Sequence, residues 1–173
     1  YASYWGNLFN PSGVVTGLAA GTSNNRRYLR MSVSGANAVT PSLGSLTPGF
    51  FGVTAGERLA VQVALESTGS LGGTCTLVIH YYNAAGANFS TPTVATTTGL
   101  KAFGTVLGDF VTVPAGAVKA QLECYFTTTS TAAGTGSIIE PMVTQASQDQ
   151  TILPAFSAGP NADDGATLGA PTG

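Results

Sequence analysis

Charge is what this chain has least of. Charged side chains make up 8% of its 173 residues, against about 25% in an average soluble protein, so hydroxyls, amides and exposed turn backbone must carry its solubility. Six basic and eight acidic residues leave a formal net charge of -2. That provides no broad positive field to collect phosphates, and nucleic acid is not an expected partner. The densest basic group, Arg26, Arg27 and Arg30, reads as a strand entrance kept soluble by charge. Long apolar runs are missing as well: nothing approaches the roughly 18 consecutive apolar residues of a membrane-spanning helix, so no membrane insertion is expected. Cysteine is scarce, and neither Cys75 nor Cys124 has a partner at metal-binding spacing. The two read either as reduced thiols in the core or as one bridge between neighbouring strands. Catalytic signatures are absent too, with no G-x-S-x-G elbow, H-E-x-x-H, Walker loop or dinucleotide-binding glycine run. Glu57, Glu66, Asp109, Glu123 and Glu140 are dispersed, whereas a glycosidase needs two carboxyls flanking one bond. An enzyme is not expected.

What the chain does have is alternation. Cys75 to Tyr82, CTLVIHYY, packs β-branched and aromatic residues into one run and stops at Asn83-Ala84-Ala85-Gly86, which predicts a central strand and a turn. Its core row is Cys75, Leu77, Ile79 and Tyr81; the other row is Thr76, Val78, His80 and Tyr82, with the chain's single His. Tyr28–Ser34 and Lys119–Phe126 alternate in the same way. Leu59–Leu65 sets Leu59, Val61, Val63 and Leu65 against the smaller Ala60, Gln62 and Ala64, leaving room for a loop or a neighbour to cover the outward side. Phe103–Val113 predicts a strand broken at Gly108, and Ser137–Val143, with Pro141, one at an edge or ending early. Thr54-Ala55-Gly56-Glu57 predicts a turn with glycine at positive φ.

No amphipathic helix is present, so the expected fold is all-β: a two-sheet antiparallel β-sandwich, a jelly roll of about seven to nine strands, with irregular N- and C-terminal arms. The expected organisation is an N-terminal arm over 1–25, with one short strand near Gly13–Leu18, a sandwich over 26–143, and a C-terminal arm or linker over 144–173. Trp5, Phe9, Ile152, Leu153 and Phe156 make sense in such arms if a partner buries them. Trp5 itself suits either a plug at the end of the sandwich or a sugar-stacking ring. The chain starts at Tyr1 without Met and is expected to be a piece of a longer polypeptide.

Several motifs recur in a familiar order. Tyr28-Leu29-Arg30-Met31-Ser32-Val33 is followed by Phe51-Gly52-Val53-Thr54-Ala55-Gly56-Glu57, and later by Leu77-Val78-Ile79-His80-Tyr81-Tyr82-Asn83-Ala84-Ala85-Gly86. Val113-Pro114-Ala115-Gly116-Ala117 then leads to Gln121-Leu122-Glu123-Cys124-Tyr125-Phe126, and the tail runs from Glu140-Pro141-Met142-Val143 to Ala162-Asp163-Asp164-Gly165-Ala166-Thr167. Together these resemble the jelly-roll carbohydrate-binding modules, especially those within phage tail and receptor-binding proteins, over about residues 28 to 170.

The resemblance implies that the strands at Tyr28, Cys75 and Lys119 share one sheet. Their outward rows would then bring Tyr28, Arg30, His80, Tyr82, Gln121, Glu123 and Tyr125 onto one surface. Aromatic faces flanked by amide, carboxylate and guanidinium groups suit a sugar; the same side chains also suit a sheet covered by a loop or a subunit contact. Family members often carry a final-strand Asp associated with a structural metal, but Ser137–Pro141 offers only the Glu140 carboxylate, so no cofactor is expected, with calcium the alternative. The family's Trp ahead of the fifth or sixth strand is replaced by Phe103.

The expected function is that of a non-catalytic, virion-associated domain binding a glycan or host receptor on one exposed sheet face. The alternative is a structural virion protein, a capsid decoration or tail component whose terminal arms pack on neighbouring subunits. Its partners would be a cell-surface glycan and other virion subunits, in a homo-oligomer, and its location the virion or extracellular space.

Overall fold

The computed structural model describes residues 5–9, 15–24, 26–34, 42–45, 50–128 and 132–156, with the backbone alone at 5–9, 15, 27 and 42–45. Among these residues the chain forms twelve strands: β1 (Trp5–Phe9), β2 (Val15–Ser23), β3 (Arg26–Val33), β4 (Ser42–Ser45), β5 (Phe51–Gly52), β6 (Arg58–Gly69), β7 (Thr74–Tyr82), β8 (Asn88–Ser90), β9 (Thr93–Thr98), β10 (Lys101–Thr112), β11 (Lys119–Phe126) and β12 (Gly134–Gln145). A seven-stranded sheet runs β1-β4-β11-β7-β8, with β5 also on β11 and β9 also on β7; a five-stranded sheet runs β10-β6-β12-β3-β2. Every pairing is antiparallel. The result is the all-β jelly-roll sandwich that the alternating pattern predicts.

The two-residue rhythm decides what lies between the sheets. Leu29, Met31 and Val33 of β3, Val61, Val63 and Leu65 of β6, Leu77, Ile79 and Tyr81 of β7, and Leu122, Cys124 and Phe126 of β11 all belong to one buried cluster. Each large apolar side chain there contributes about 1.5–3 kcal/mol relative to leaving it in water. The β7/β11 ladder pairs Cys75 with Phe126 at one end and Tyr82 with Lys119 at the other. That register brings the sulfurs of Cys75 and Cys124 to 3.2 Å as free, buried thiols. The Cys124 thiol is pushed well up by its bond to Cys75 and by burial, so both sulfurs fill the core as small hydrophobes. Gly56 and Gly86 close their turns at φ 82° and 81°, with Gly86 N–H donating to the Asn83 carbonyl.

Four sequence expectations are corrected here. β10 is not broken at Gly108, which pairs with Gln62 in unbroken register; its irregularity lies between Lys101 and Thr105. The sandwich begins before residue 26, because Val15–Ser23 pairs with β3 along most of its length; its Gly and Ala content hides the strand, since an edge strand with exposed Leu18–Ala20 needs little apolar rhythm. The strand containing Pro141 is not cut short, and it is an edge only over its second half. β12 lies between β6 and β3 as far as Ile139 and pairs with β6 alone from Met142 to Gln145; its register shifts between Ile139 and Met142, with Glu140 at φ 45°. That bulge takes Pro141 out of the ladder, so the missing N–H costs no sheet bond. Finally, β3 belongs to the five-stranded sheet, not to the sheet of β7 and β11.

The described part of the C-terminal segment does not stand free. Ala146 N–H donates to the Arg58 carbonyl, and the Arg58 Nη1 donates to the carbonyls of Ser147 (2.6 Å) and Gln150 (2.7 Å). Gln62 Nε2 reaches the Pro154 carbonyl at 2.6 Å, and the Arg26 guanidinium lies over the Phe156 ring at 5.1 Å. The segment therefore crosses the outside of the five-stranded sheet from β6 towards β3. Beneath it Ala60, Gln62 and Ala64 are buried, the cover that their small size predicts. Phe156 thus packs on its own domain, while Ile152 remains 80% exposed.

Candidate functional site

Of the seven residues expected on one surface, the structure brings together His80, Tyr82, Gln121, Glu123 and Tyr125, and separates Tyr28 and Arg30. The five occupy the outward rows of β7 and β11, where the register sets His80 opposite Gln121, and Glu123 opposite Val78. Outward placement follows from the inward burial of Ile79, Tyr81, Leu122 and Cys124. Gln121 and Glu123, each 5% exposed, form a polar floor. His80, Tyr82 and Tyr125 stand half-buried around them.

This floor is tightly bonded. One carboxylate oxygen of Glu123, Oε2, accepts from His80 Nε2 at 2.7 Å and from the Tyr125 hydroxyl at 2.7 Å. With Nε2–H engaged by the carboxylate, the network assigns His80 Nδ1 as an acceptor for Asn88 Nδ2 (3.1 Å) and the Thr91 hydroxyl (3.2 Å). The Tyr82 hydroxyl donates to Gln121 Oε1 at 2.9 Å. Burial first, then the hydrogen bond to Glu123 and its charge, pushes the Tyr125 phenol far above the usual tyrosine value. Burial and the Glu123 charge push Tyr82 up as well. Both hydroxyls therefore stay protonated through the neutral range and keep a donor for their partners.

At the Tyr82 end the face continues through residues that the alternation did not single out. Phe50 meets the Tyr82 ring edge-on, with centroids 4.9 Å apart and planes at 78°. Lys119 Nζ lies 4.5 Å from the Phe50 centroid and 5.8 Å from that of Tyr82. Lys119 was legible as an outward residue of β11, but Phe50 and Thr91 reach the site from outside the strands and Asn88 from the three-residue strand β8, too short for sequence period to carry a signal.

Tyr28 and Arg30 sit on the outside of the other sheet and are occupied there. Arg30 bonds Glu66 (2.5 Å) and Ser137 (2.9 Å) and stacks over Tyr28 at 4.6 Å. Tyr28 meets Phe103 edge-on at 6.3 Å. Phe103 thus covers Tyr28. The reason for the separation is topological: β3 pairs with β2 and β12 in the five-stranded sheet, and nothing in a strand's own alternation names its sheet. Arg26 is likewise engaged, by Glu140 at 2.8 Å. The further reading of Trp5 concerns a side chain outside the described residues, as does that of Phe9.

Among the described residues no group of three or more His, Cys, Asp or Glu side chains is placed to hold a metal ion. Glu140, the carboxylate on which the calcium alternative rested, is taken by Arg26 and lies in the bulge of β12. Among the described residues, then, the surroundings of Glu140 do not fit a calcium site, which needs six to eight oxygen ligands.

No family model matches this chain, and no curated protein does. Solved structures do. The N-terminal carbohydrate-binding and catalytic modules of Clostridium thermocellum endo-1,4-β-D-xylanase 10B, solved with xylohexaose, align with 83% of this chain at 21% identity and a TM-score of 0.57. The C-terminal family 22 carbohydrate-binding module of the same xylanase aligns with 87% of it at 12% identity and a TM-score of 0.56. The enzymatically active domain of tailspike protein 4 of bacteriophage CBA120 aligns with 84% at 14% identity and a TM-score of 0.59. The chain spans 26% of the two-module xylanase structure and 20% of the tailspike, but 91% of the isolated module. Likeness at these identities is likeness of fold, and the chain has the jelly-roll fold of the carbohydrate-binding modules.

Proposed function

We propose that this is a non-catalytic glycan-binding domain whose ligand lies on the outward face of β7 and β11. The observation that carries the reading is the make-up of this face: nearly buried Gln121 and Glu123, bonded to His80, Tyr82 and Tyr125, with the tyrosine rings half-exposed beside them. Aromatic rings offer faces to the C–H patches of a pyranose, while amide, carboxylate and imidazole groups address its hydroxyls. A single described carboxylate on this face supports a binding role over glycoside hydrolysis, which takes two. The fold shared with modules whose structures were solved for their carbohydrate binding supports it further.

The proposed setting is a virion, with the domain part of a tail or host-recognition protein in several copies. The order of motifs and the low-charge composition support that setting, and multiple copies would turn weak single-site affinity into useful avidity. The structural alternative, with terminal arms packed on neighbouring subunits, is weakened for residues 146–156, which pack on their own domain. Titration against a glycan array with Tyr82→Ala and Tyr125→Ala tests the site: each change should weaken binding by about tenfold or more, the scale of a lost aromatic stack and hydrogen bond. Undiminished binding by both variants would remove this face from consideration.

A further inference from the structure

We infer that the Lys119 end of this face is a subsite for an anionic substituent on a sugar ring, so that the ligand class is an acidic glycan. The inference rests on the glycan-binding reading above and narrows it. Among the described cationic side chains, Arg26 and Arg30 are neutralised by Glu140 and Glu66. Arg58 is engaged by the Ser147 and Gln150 carbonyls, and Lys101 by the Thr98 carbonyl. Lys119 differs from all of these. Its ammonium donates to no described acceptor and is held by the faces of Phe50 and Tyr82 alone. Cation–π contact fixes the position of the charge while leaving N–H donors unused.

Among the described residues the sheet beside Lys119 leaves room. Across the sheet Lys119 has Tyr82 on one side and Gly52 on the other. A β-carbon at Gly52 would meet nothing within 4 Å. An aromatic wall, a cation and an open slot therefore lie side by side, which suits a pyranose stacked on Tyr82 with its anionic group turned to Lys119. The carboxylate already on this face sets the orientation. Glu123 lies four positions along β11, roughly 13 Å of strand away at 3.3 Å per residue, and its charge is felt at Tyr82, so the anionic group is favoured only where it turns to the Lys119 side, away from Glu123. A neutral sugar would leave the ammonium with no partner. A carboxylate and a sulfate ester satisfy it by the same chemistry, since a lysine acts as a point charge.

The test is a titration with matched pairs of oligosaccharides: uronic-acid oligomers against their methyl esters, and O-sulfated oligomers against their desulfated forms. Wild type, Lys119→Gln and Gly52→Val are compared, with thermal melts confirming that the variants fold. Wild type should hold the anionic member of one pair at least about tenfold more tightly, and the pair that responds identifies the anion. The ratio should fall to about one in Lys119→Gln, and Gly52→Val should weaken the anionic member with the lysine intact. Neutral and anionic members bound equally by wild type would overturn the inference while leaving the glycan reading standing. So would an anionic preference that survives Lys119→Gln. No binding of any oligomer by wild type would overturn both.

Discussion

Tyr81 is fully buried near the end of β7, and its hydroxyl meets no hydrogen-bond partner among the described residues. Burial pushes its phenol up to about 12. Below pH 10 the group is protonated whether the chain is folded or not, and its ionisation adds no pH dependence. Between about 10 and 12 only the unfolded chain ionises, so stability must fall as pH rises through that window. Tyr81→Phe removes the unpaired hydroxyl; it should leave stability at neutral pH unchanged or raise it by up to about 1 kcal/mol, and should lessen the alkaline loss, as denaturant melts at pH 7 and pH 11 would show. Glu123 presents the opposite case, a nearly buried carboxylate oxygen with two donors. Glu123→Gln should cost about 1–3 kcal/mol in the same melts, and should bring the ionisation of Tyr125 and Tyr82 down towards that of an ordinary tyrosine in an ultraviolet titration, without removing the part due to burial. The inward and outward assignment of all these side chains was legible from the period-2 pattern. The bonds joining His80 to Asn88 and Thr91 were not, because they depend on how a turn folds back over the sheet.

At the scale of elements, the sequence-based expectations hold where pattern alone decides and fail where neighbours do. The runs at Cys75–Tyr82 and Lys119–Phe126 pair as expected, since each has an unbroken apolar row that only the core can take. β3 has the same rhythm and lies in the other sheet, because sheet membership follows from which strands insert beside it. β12 takes a central position up to Ile139 and runs on past Pro141 against β6 alone, through a bulge that the local sequence does not announce. The segment at 146–156 is the clearest gain from structure. Apolar Phe156 and the small outward residues of β6 were both visible in the sequence, but not that one covers the face of the other. Arg58 holds that segment through two carbonyls and stacks on Phe110 at 4.1 Å. Arg58→Ala should lower stability by about 1–3 kcal/mol and open residues 147–156 to limited proteolysis, whereas the wild-type chain should resist cleavage there. Equal cleavage of both would show that the segment is not held by this contact.

For the whole molecule, two faces of one sandwich have different fates. The middle of the outside of the five-stranded sheet is covered by the chain itself, with Phe103 on Tyr28, Arg30 bonded to Glu66, and the C-terminal segment over β6, while Leu18 and Val106 stay exposed towards its margins. The outside of the seven-stranded sheet keeps half-exposed tyrosines, a histidine and an ammonium without a described acceptor around a polar floor. On the proposed reading, binding by a low-charge protein rests on aromatic contact, dense hydrogen bonding and a well-placed cation, without a broad electrostatic field. The most direct measurement is a glycan-array titration of wild type beside the Tyr82→Ala/Tyr125→Ala double variant and, on the opposite sheet, Tyr28→Ala. Binding lost in the double variant and retained in Tyr28→Ala is the predicted result. Binding retained in the double variant, or lost only with Tyr28→Ala, would contradict it.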